Sequence, residues 1–394
     1  MSGTLNNIYN NVSFALHLHT EAMARLQEQA STGSRINRVS DDPSAAFRVL
    51  GLNSQEKSLG NYIDNLSEVT GIMELSSTII ADIASAITET KVRLIQIAGG
   101  IYNEDARERT ADGINDILEQ VVTFANSKHI GRYLFGGGDI ASTPYVVERT
   151  NGEITRVAYQ GTSDNNDIEV APGIKSSAFY VGNEIFQSDE RSDPIFLGDT
   201  GAKTGTGTSN VRGDTWLTIT GSAGNYNLSI DDGISTFNTD GSHTNLAVTN
   251  LTTREVLYVD TTEINSTGVE LVRIPGTYDI FNTIISIRDI LKNEKGLSEA
   301  QLKELLDNSL YSLEEISELL VKAEVSVGSK IGFLDNLKDS LMNLKYNAED
   351  EKTLLQEADI AQIAVDLSRR EILYQMSLSV AGKLMSVSLL DFLS

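Results

Sequence analysis

Two long series of apolar residues at every seventh position constrain the fold of this chain more than any other feature. Each series has seven members, and no proline interrupts either one. A heptad repeat of this length is hard to obtain by chance and predicts helices that pack as coiled coils. The two series are Leu52, Leu59, Leu66, Met73, Ile80, Ile87 and Leu94, and then Leu306, Leu313, Leu320, Val327, Leu334, Leu341 and Ala348.

The region between the two series has a different composition. Residues 139–279 are rich in Gly, Thr, Ser, Asn and Asp, and their short alternating runs are bounded by turn pairs such as Asn151-Gly152. This pattern predicts β-strands, with residues 199–215 forming an exposed loop. We therefore predict an α+β fold in which long antiparallel α-helical coiled-coil rods run from both termini to a central mainly-β insertion domain.

Local signals divide the chain further. Asn103 is predicted to cap a helix that ends within residues 131–139, and Ser298 with Gln301 forms a capping box at the start of the second series. The predicted domains are an N-terminal assembly helix and corner at 1–44, a coiled-coil rod at 45–138, an outward β domain at 139–280, a second coiled-coil rod at 281–357 and a C-terminal assembly helix at 358–394.

Both chain ends are predicted helices with apolar residues on two faces. In the last helix, one stripe holds Leu373, Met376 and Val380, and a second stripe lies nearly opposite; in the first helix, Phe14 and Leu18 oppose the main stripe. A helix of this kind must lie between neighbours. A membrane span or an ordinary buried helix would also satisfy that need. Gln375, Lys383 and Asp391 make a membrane span improbable, so we expect packing between subunits.

Charge and composition exclude several classes of protein. The formal charge of −24 falls entirely on residues 51–359, because the acids and bases of the two ends cancel. Such a body repels nucleic acid and anionic lipid. The chain has no cysteine, and no cleaved secretion signal is expected. The histidines and glycines form no metal or phosphate motif, so we predict no enzyme, no metal and no cofactor.

Three short segments resemble the signature of the bacterial flagellin family of axial proteins. The corner after the first helix carries Arg35, Ile36, Asn37, Asp41, Asp42 and Pro43; a second motif is Leu134-Phe135-Gly136; and the chain ends in Leu389-Leu390-Asp391-Phe392-Leu393. Pro43, where flagellins similar to this chain usually have Ala, and the passage around Phe135 favour the family members that join the hook to the filament. The resemblance covers roughly residues 1–138 and 281–394.

The resemblance implies a structural role without enzymatic activity. The first and last helices would be unfolded in the free monomer. On assembly they would fold, pair with each other and line an inner tube. The implied partners are further copies in a ring, hook-associated protein 1 on the hook side, flagellin or the filament on the distal side, and an export chaperone with the type III export apparatus, but neither nucleic acid nor membrane. The implied location is the extracellular flagellum.

Two other functions stay open from the sequence, a filament-forming flagellin and a type III secreted translocator or adhesin. In either case the stripes of the terminal helices are the predicted assembly contacts. These residues are Leu5, Ile8, Val12, Leu16, Leu373, Leu384, Val387, Leu390 and Phe392.

Overall fold

The computed structural model of the protein describes residues 2–99 and 103–393, with side chains described for residues 10–99 and 103–383. Helix and sheet are mixed along the chain. The helices are α1 Ser2–Thr32, α2 Pro43–Ala98, α3 Glu104–Ala125, α4 Gly182–Phe186, α5 Ile280–Lys292, α6 Glu299–Gln356 and α7 Ile360–Leu393. The strands are β1 Lys128–His129, β2 Arg132–Tyr133, β3 Tyr145–Thr150, β4 Glu153–Tyr159, β5 Asp167–Ala171, β6 Ile174–Ser177, β7 Ile195–Leu197, β8 Lys203–Thr204, β9 Gly213–Ser222, β10 Asn225–Ser229, β11 Phe237–Thr239, β12 Leu246–Thr249, β13 Val256–Asp260 and β14 Gly268–Ile274.

The chain divides into two compact units. The terminal unit combines Met1–Asp64 with Leu337–Ser394, and the central unit is Asn65–Asn336. The terminal unit is therefore built from both ends of the chain. The five domain boundaries expected from the sequence stay predictions, because this division does not test them one by one.

The heptad series of α2 and α6 are the buried positions of those helices. Leu66, Met73 and Ile80 are fully buried, as are Leu313 and Leu320, and only Leu52 among the fourteen heptad residues is half-buried. Within the described residues, α2 alone has a window apolar enough to cross a bilayer, and half of that window is buried inside the protein. The period of seven thus reports core packing in these helices.

Antiparallel sheets form the β region of the central unit. Among the described strands, one sheet has the order β11-β10-β9-β14-β7 and another has the order β12-β13-β8. They share a core that includes Leu217, Ile219 and Leu257. The predicted exposed loop at 199–215 is wrong, because β8 pairs with β13 and Val211 lies in this core. Frequent Gly and Thr therefore accompany strand pairing here.

Helix α3 ends earlier than the sequence predicts. The helix begins as predicted, with the Asn103 side chain accepting a hydrogen bond from the Ala106 amide. It ends at Ala125, before the predicted 131–139, and β1 pairs with β2 across a turn at Ile130 and Gly131. Both turn residues have positive φ, 48° and 78°, which is the conformation of a type I′ hairpin turn. The sequence did not predict this turn, because isoleucine is not a residue expected at a position with positive φ.

Candidate assembly surface

In the terminal unit, α1 packs along α7. The end of α1 lies beside the start of α7, since the Gly33 carbonyl accepts a hydrogen bond from the Ala358 amide at 3.1 Å. Because α1 ends at this point and α7 begins there, the two helices run antiparallel. The pairing of the first and last helices that the family resemblance implies is present.

The corner after α1 is held to the end of α6 by backbone and side-chain bonds. The helix stops at Gly33, whose φ is +68°. A residue with a Cβ adopts this left-handed conformation only at a cost. Ser34 then forms an antiparallel bridge with Glu357. The Arg35 amide donates to the Gln356 carbonyl at 2.6 Å, and its guanidinium donates to the Leu355 carbonyl at 3.2 Å. Arg35 therefore holds the corner after α1 to the end of α6.

Asp41 and Asn37 fix the shape of the corner itself. One oxygen of Asp41 accepts from the backbone amides of Asn37 at 3.1 Å and Arg38 at 2.8 Å. The Asn37 side-chain amide donates to the Ser34 carbonyl at 3.2 Å. These bonds satisfy amide groups that no helix or sheet ladder serves, so the motif residues specify a compact turn.

Asp42 and Pro43 begin α2. The Asp42 carboxylate accepts from the Ala45 amide at 3.0 Å, and Pro43 occupies the first helical position, where a missing amide proton loses nothing. The start of α7 is capped in the same manner, with the Asp359 carboxylate accepting from the Gln362 amide at 3.0 Å. Of the paired acids of the corner, Asp42 is therefore the capping residue, and Asp41 shapes the turn.

Ion pairs join the first turns of α2 to the last turns of α6 in the terminal unit. Arg48 contacts Glu351 at 2.5 Å, and Lys352 contacts Glu56. The hydrogen bond from Lys352 lowers the pKa of Glu56 below its ordinary value. These contacts tie the two helices together beside the corner.

The motif Leu134-Phe135-Gly136 lies in the central unit and serves packing there. Phe135 is fully buried and its ring meets that of Phe186 edge to face, with centroids 4.9 Å apart. Gly136 forms an antiparallel bridge with Val181, and a Cβ on Gly136 would lie 2.2 Å from the Asp139 carbonyl oxygen. A close backbone approach therefore requires the glycine.

Large apolar side chains are exposed along the outer sides of α1 and α7. Phe14 is 66% exposed on α1, while Val365, Ile372 and Met376 on α7 are each about 60% exposed. An open groove of about 550 Å³ on α7 is lined by Ala364, Val365, Ser368, Arg369, Ile372 and Leu373. Soluble proteins rarely leave such surfaces uncovered, so this is a candidate contact surface.

The assembly contacts predicted from sequence fall into three groups. Val12 and Leu16 are half-buried on α1, and Leu373 is exposed at the α7 groove. The side chains of the others lie outside the described residues. Val365 and Ile372 were not among the predicted contacts. Val365, Ile372 and Met376 nevertheless follow one helical stripe, because they are separated by seven and then four residues. The side chains outside the description are Leu5, Ile8, Leu384, Val387, Leu390 and Phe392.

Residues 4–138 match the bacterial flagellin N-terminal helical region. The resemblance to the flagellin family is confirmed. Flagellar hook-associated protein 3 of Salmonella typhimurium is 28% identical over 122 residues, which are 31% of this chain and 38% of that protein. The protein of the same name from Escherichia coli K12 is 25% identical over 162 residues, 41% of this chain and 49% of that protein. The chain thus spans less than half the length of these relatives.

A solved structure shares the fold of this flagellin-like chain. Flagellar hook-associated protein 3 from Legionella pneumophila superposes with a TM-score of 0.54 at 13% identity, covering 77% of this chain and 98% of the other. At this identity the likeness concerns the fold alone.

Proposed function

We propose that this chain is a structural axial protein of the bacterial flagellum that forms the junction between hook and filament, with no enzymatic role. The observation that carries the proposal is the α1–α7 pair, which leaves apolar stripes uncovered on the outside of both helices. Burial of apolar surface stabilises association by about 25 cal/mol per Å², so such stripes favour contact with further subunits. The similarity to hook-associated protein 3 supports this axial position.

The two long helices would pair with each other. In the terminal unit Arg48 of α2 pairs with Glu351 of α6, and in the central unit Lys91 of α2 pairs with Glu314 of α6. These pairings support antiparallel packing of α2 and α6. The central unit supplies the acidic surface that would remain in contact with solvent.

The proposed contacts between subunits are the stripes named from the sequence. Leu373 is exposed in the α7 groove, which supports its assignment. The complete proposed set is Leu5, Ile8, Val12, Leu16, Leu373, Leu384, Val387, Leu390 and Phe392. In the free monomer we expect α1 and α7 to unfold, because these stripes then have no neighbour. Hydrogen exchange would show this as fast exchange in both helices beside a protected central unit.

The partners and location follow from the junction role. Copies of the chain would form a short ring, with hook-associated protein 1 below it and flagellin above it. Delivery to the cell exterior would use a flagellar export chaperone and the type III export apparatus.

Deletion of the gene in its own bacterium tests the proposal. Electron microscopy should show hooks without filaments, and flagellin should accumulate in the medium. Filaments that still form would contradict the junction role and favour a minor flagellin. Loss of flagellin itself from both cell and medium would identify the chain as the filament protein, and intact motile flagella with impaired host contact would favour a translocator or adhesin.

A further inference from the structure

A cleft in the central unit has the size of a small-molecule site. Its volume is about 530 Å³, and its lining includes Tyr159, Asn183, Thr215, Trp216 and Asn282. We name it the central cleft. Small-molecule sites in proteins measure about 300–1,000 Å³, so the central cleft has room for one or more sugar rings. We propose that it binds a neutral carbohydrate, with Trp216 and Tyr159 against a sugar ring and with Asn183 and Thr215 bonded to its hydroxyl groups.

The central cleft lies where the chain enters the two larger β-sheets and returns from them. Residues of β4 and α4, which precede this point, and of β9 and α5 line it. Gln187 and Asp279 also line the cleft, and they pair in an antiparallel bridge. Next to this bridge the Ser188 amide donates to the Tyr278 carbonyl at 2.7 Å. Residues 188–278 thus leave and return at one place, and ligands bind preferentially in clefts between such substructures.

The charged side chains of the central cleft already have partners. Four of them form ion pairs, which are Arg156 with Glu148, Arg212 with Asp189, Asp214 with Arg273 and Asp289 with Arg288. Asp279 accepts from the amides of Phe281 and Asn282 at 2.9 and 2.8 Å. Glu255 accepts from the Thr253 hydroxyl at 2.8 Å. A charged ligand would have to displace one of these partners, because a buried charge without a partner is costly. The cleft therefore suits a neutral ligand.

Neutral hydrogen-bonding groups in the central cleft are free to bind a ligand. The exposed side chain of Asn183 makes no hydrogen bond to any residue that the structure describes, and the same is true of the Thr215 hydroxyl and the Trp216 indole N–H. The buried hydroxyl of Tyr145 also has no partner among the described residues. These groups include both donors and acceptors, which matches a sugar hydroxyl because it donates and accepts at once.

Aromatic side chains supply an apolar surface in the same cleft. Trp216 and Tyr159 line it and are half-buried. The Tyr159 hydroxyl already donates toward the carbonyls of Phe135 at 3.2 Å and Thr162 at 3.3 Å, so its ring is the surface that remains for a ligand. Aromatic rings pack well against apolar groups, and the C–H face of a pyranose is apolar. An apolar face with hydroxyl groups around its edge describes a sugar, whereas a nucleotide or a free amino acid would bring charge.

Titration of the full chain with sugars tests the proposal directly, because Trp216 is the single tryptophan and lines the cleft. The probes are the methyl glycosides of glucose, galactose, mannose and N-acetylglucosamine, with cellobiose and lactose. At least one of them should change the Trp216 fluorescence in a saturable manner. Sorbitol, which has the hydroxyl groups without the ring, should not. No saturable change with any of these sugars, or equal affinity for sorbitol, would overturn the proposal.

Variants locate the bound sugar. Asn183→Ala and Thr215→Val should each raise the dissociation constant about 2–10-fold, through the loss of one hydrogen bond. Asn265→Ala and Thr218→Val are the matched controls, since Asn265 is exposed, Thr218 lies on the same strand as Thr215, and neither lines the cleft. Urea unfolding followed by Trp216 fluorescence verifies that each variant is folded. Unchanged affinity in both cleft variants, or an equal loss in the controls, would overturn the proposal.

Charged probes test the preference for a neutral ligand. Glucose 6-phosphate and spermidine should bind more weakly than the neutral sugar that binds best, because the charges of the central cleft are already compensated. Tighter binding of either probe would assign the cleft to an ion and overturn the proposal. All of these measurements use the isolated chain in solution, so their outcome is independent of the junction role.

Discussion

The terminal unit and the central unit treat apolar side chains in opposite ways. Among the side chains that the structure describes, fifteen exposed large apolar residues belong to the terminal unit and twelve to the central unit, which is more than twice as long. The central unit completes its own core around Leu217, Ile219 and Leu228. The terminal unit leaves proportionally more apolar surface uncovered, which is the property expected of a surface used in assembly.

The units also differ in how they hold charge. In the central unit Arg273 and Asp214 are both buried, and two nitrogens of the arginine donate to the two carboxylate oxygens at 2.9 Å. Asp214 also accepts from the Tyr278 hydroxyl at 3.1 Å and from the Ser286 hydroxyl at 2.9 Å. In the terminal unit, by contrast, Arg48 and Glu351 form a pair that remains largely exposed.

The largest effect on stability is expected from Arg273→Ala. The substitution leaves the Asp214 carboxylate buried without its cation, which costs about 3–5 kcal/mol. Trp216 is the single tryptophan and lies on β9, so its fluorescence during urea unfolding reports the central unit. Lys203→Ala, which breaks the exposed pair with Glu263, should cost at most about 1 kcal/mol. Equal small losses in both variants would show that burial does not distinguish the two pairs.

A smaller effect is expected at the corner of the terminal unit. Asp41→Ala removes the acceptor for the Asn37 and Arg38 amides and should cost about 1–2 kcal/mol locally. Hydrogen exchange should then speed up in residues 33–45 and stay unchanged around Trp216. Asp41→Asn keeps an acceptor oxygen and should show little change. Faster exchange in the central unit would contradict the separation of the two units.

Local signals in the sequence predicted helix starts and buried helix sides correctly, but they did not predict contacts between distant residues. The Asn103 cap and the pair of Ser298 with Gln301 were predicted correctly, because caps depend on residues three positions apart. The heptads predicted the buried side of α2 and α6, because residues seven apart lie on the same side of a helix. Leu344 at a companion position is nevertheless exposed. The bond from Arg35 to the Leu355 carbonyl joins residues 320 positions apart, and no local pattern encodes it.

Stability of the central unit should depend on pH through Glu270. This side chain is buried, accepts from the Thr200 hydroxyl at 2.7 Å, and its other oxygen has no partner among the described residues. Burial raises the pKa of Glu270 above its ordinary value near 4.5, an effect that the Thr200 bond partly opposes. The folded state therefore holds the proton more tightly than the unfolded state, and this contribution is lost as pH rises through the folded pKa.

Glu270→Gln should remove that dependence. The variant should be more stable than wild type at pH 8, and the difference should shrink toward pH 5, as measured by urea unfolding with Trp216 fluorescence. The amide keeps an oxygen for the Thr200 hydroxyl. A constant difference at every pH would show that the carboxyl group does not titrate in this window and that the central unit accommodates its charge.

The smallest effect on the monomer should come from the assembly surface. Ile372 is 58% exposed on α7, whereas Ile219 is buried in the core of the central unit. Ile219→Ala should cost about 2–5 kcal/mol in unfolding free energy, and Ile372→Ala should change it by less than about 0.5 kcal/mol. In cells the order should reverse for any variant that folds, because Ile372 lies on the candidate contact surface and Ile219 lies in a core. If Ile372→Ala leaves the filament count unchanged, the exposed apolar stripe has no role in assembly. If it destabilises the monomer as much as Ile219→Ala does, the stripe belongs to a core, and the distinction between the two units fails.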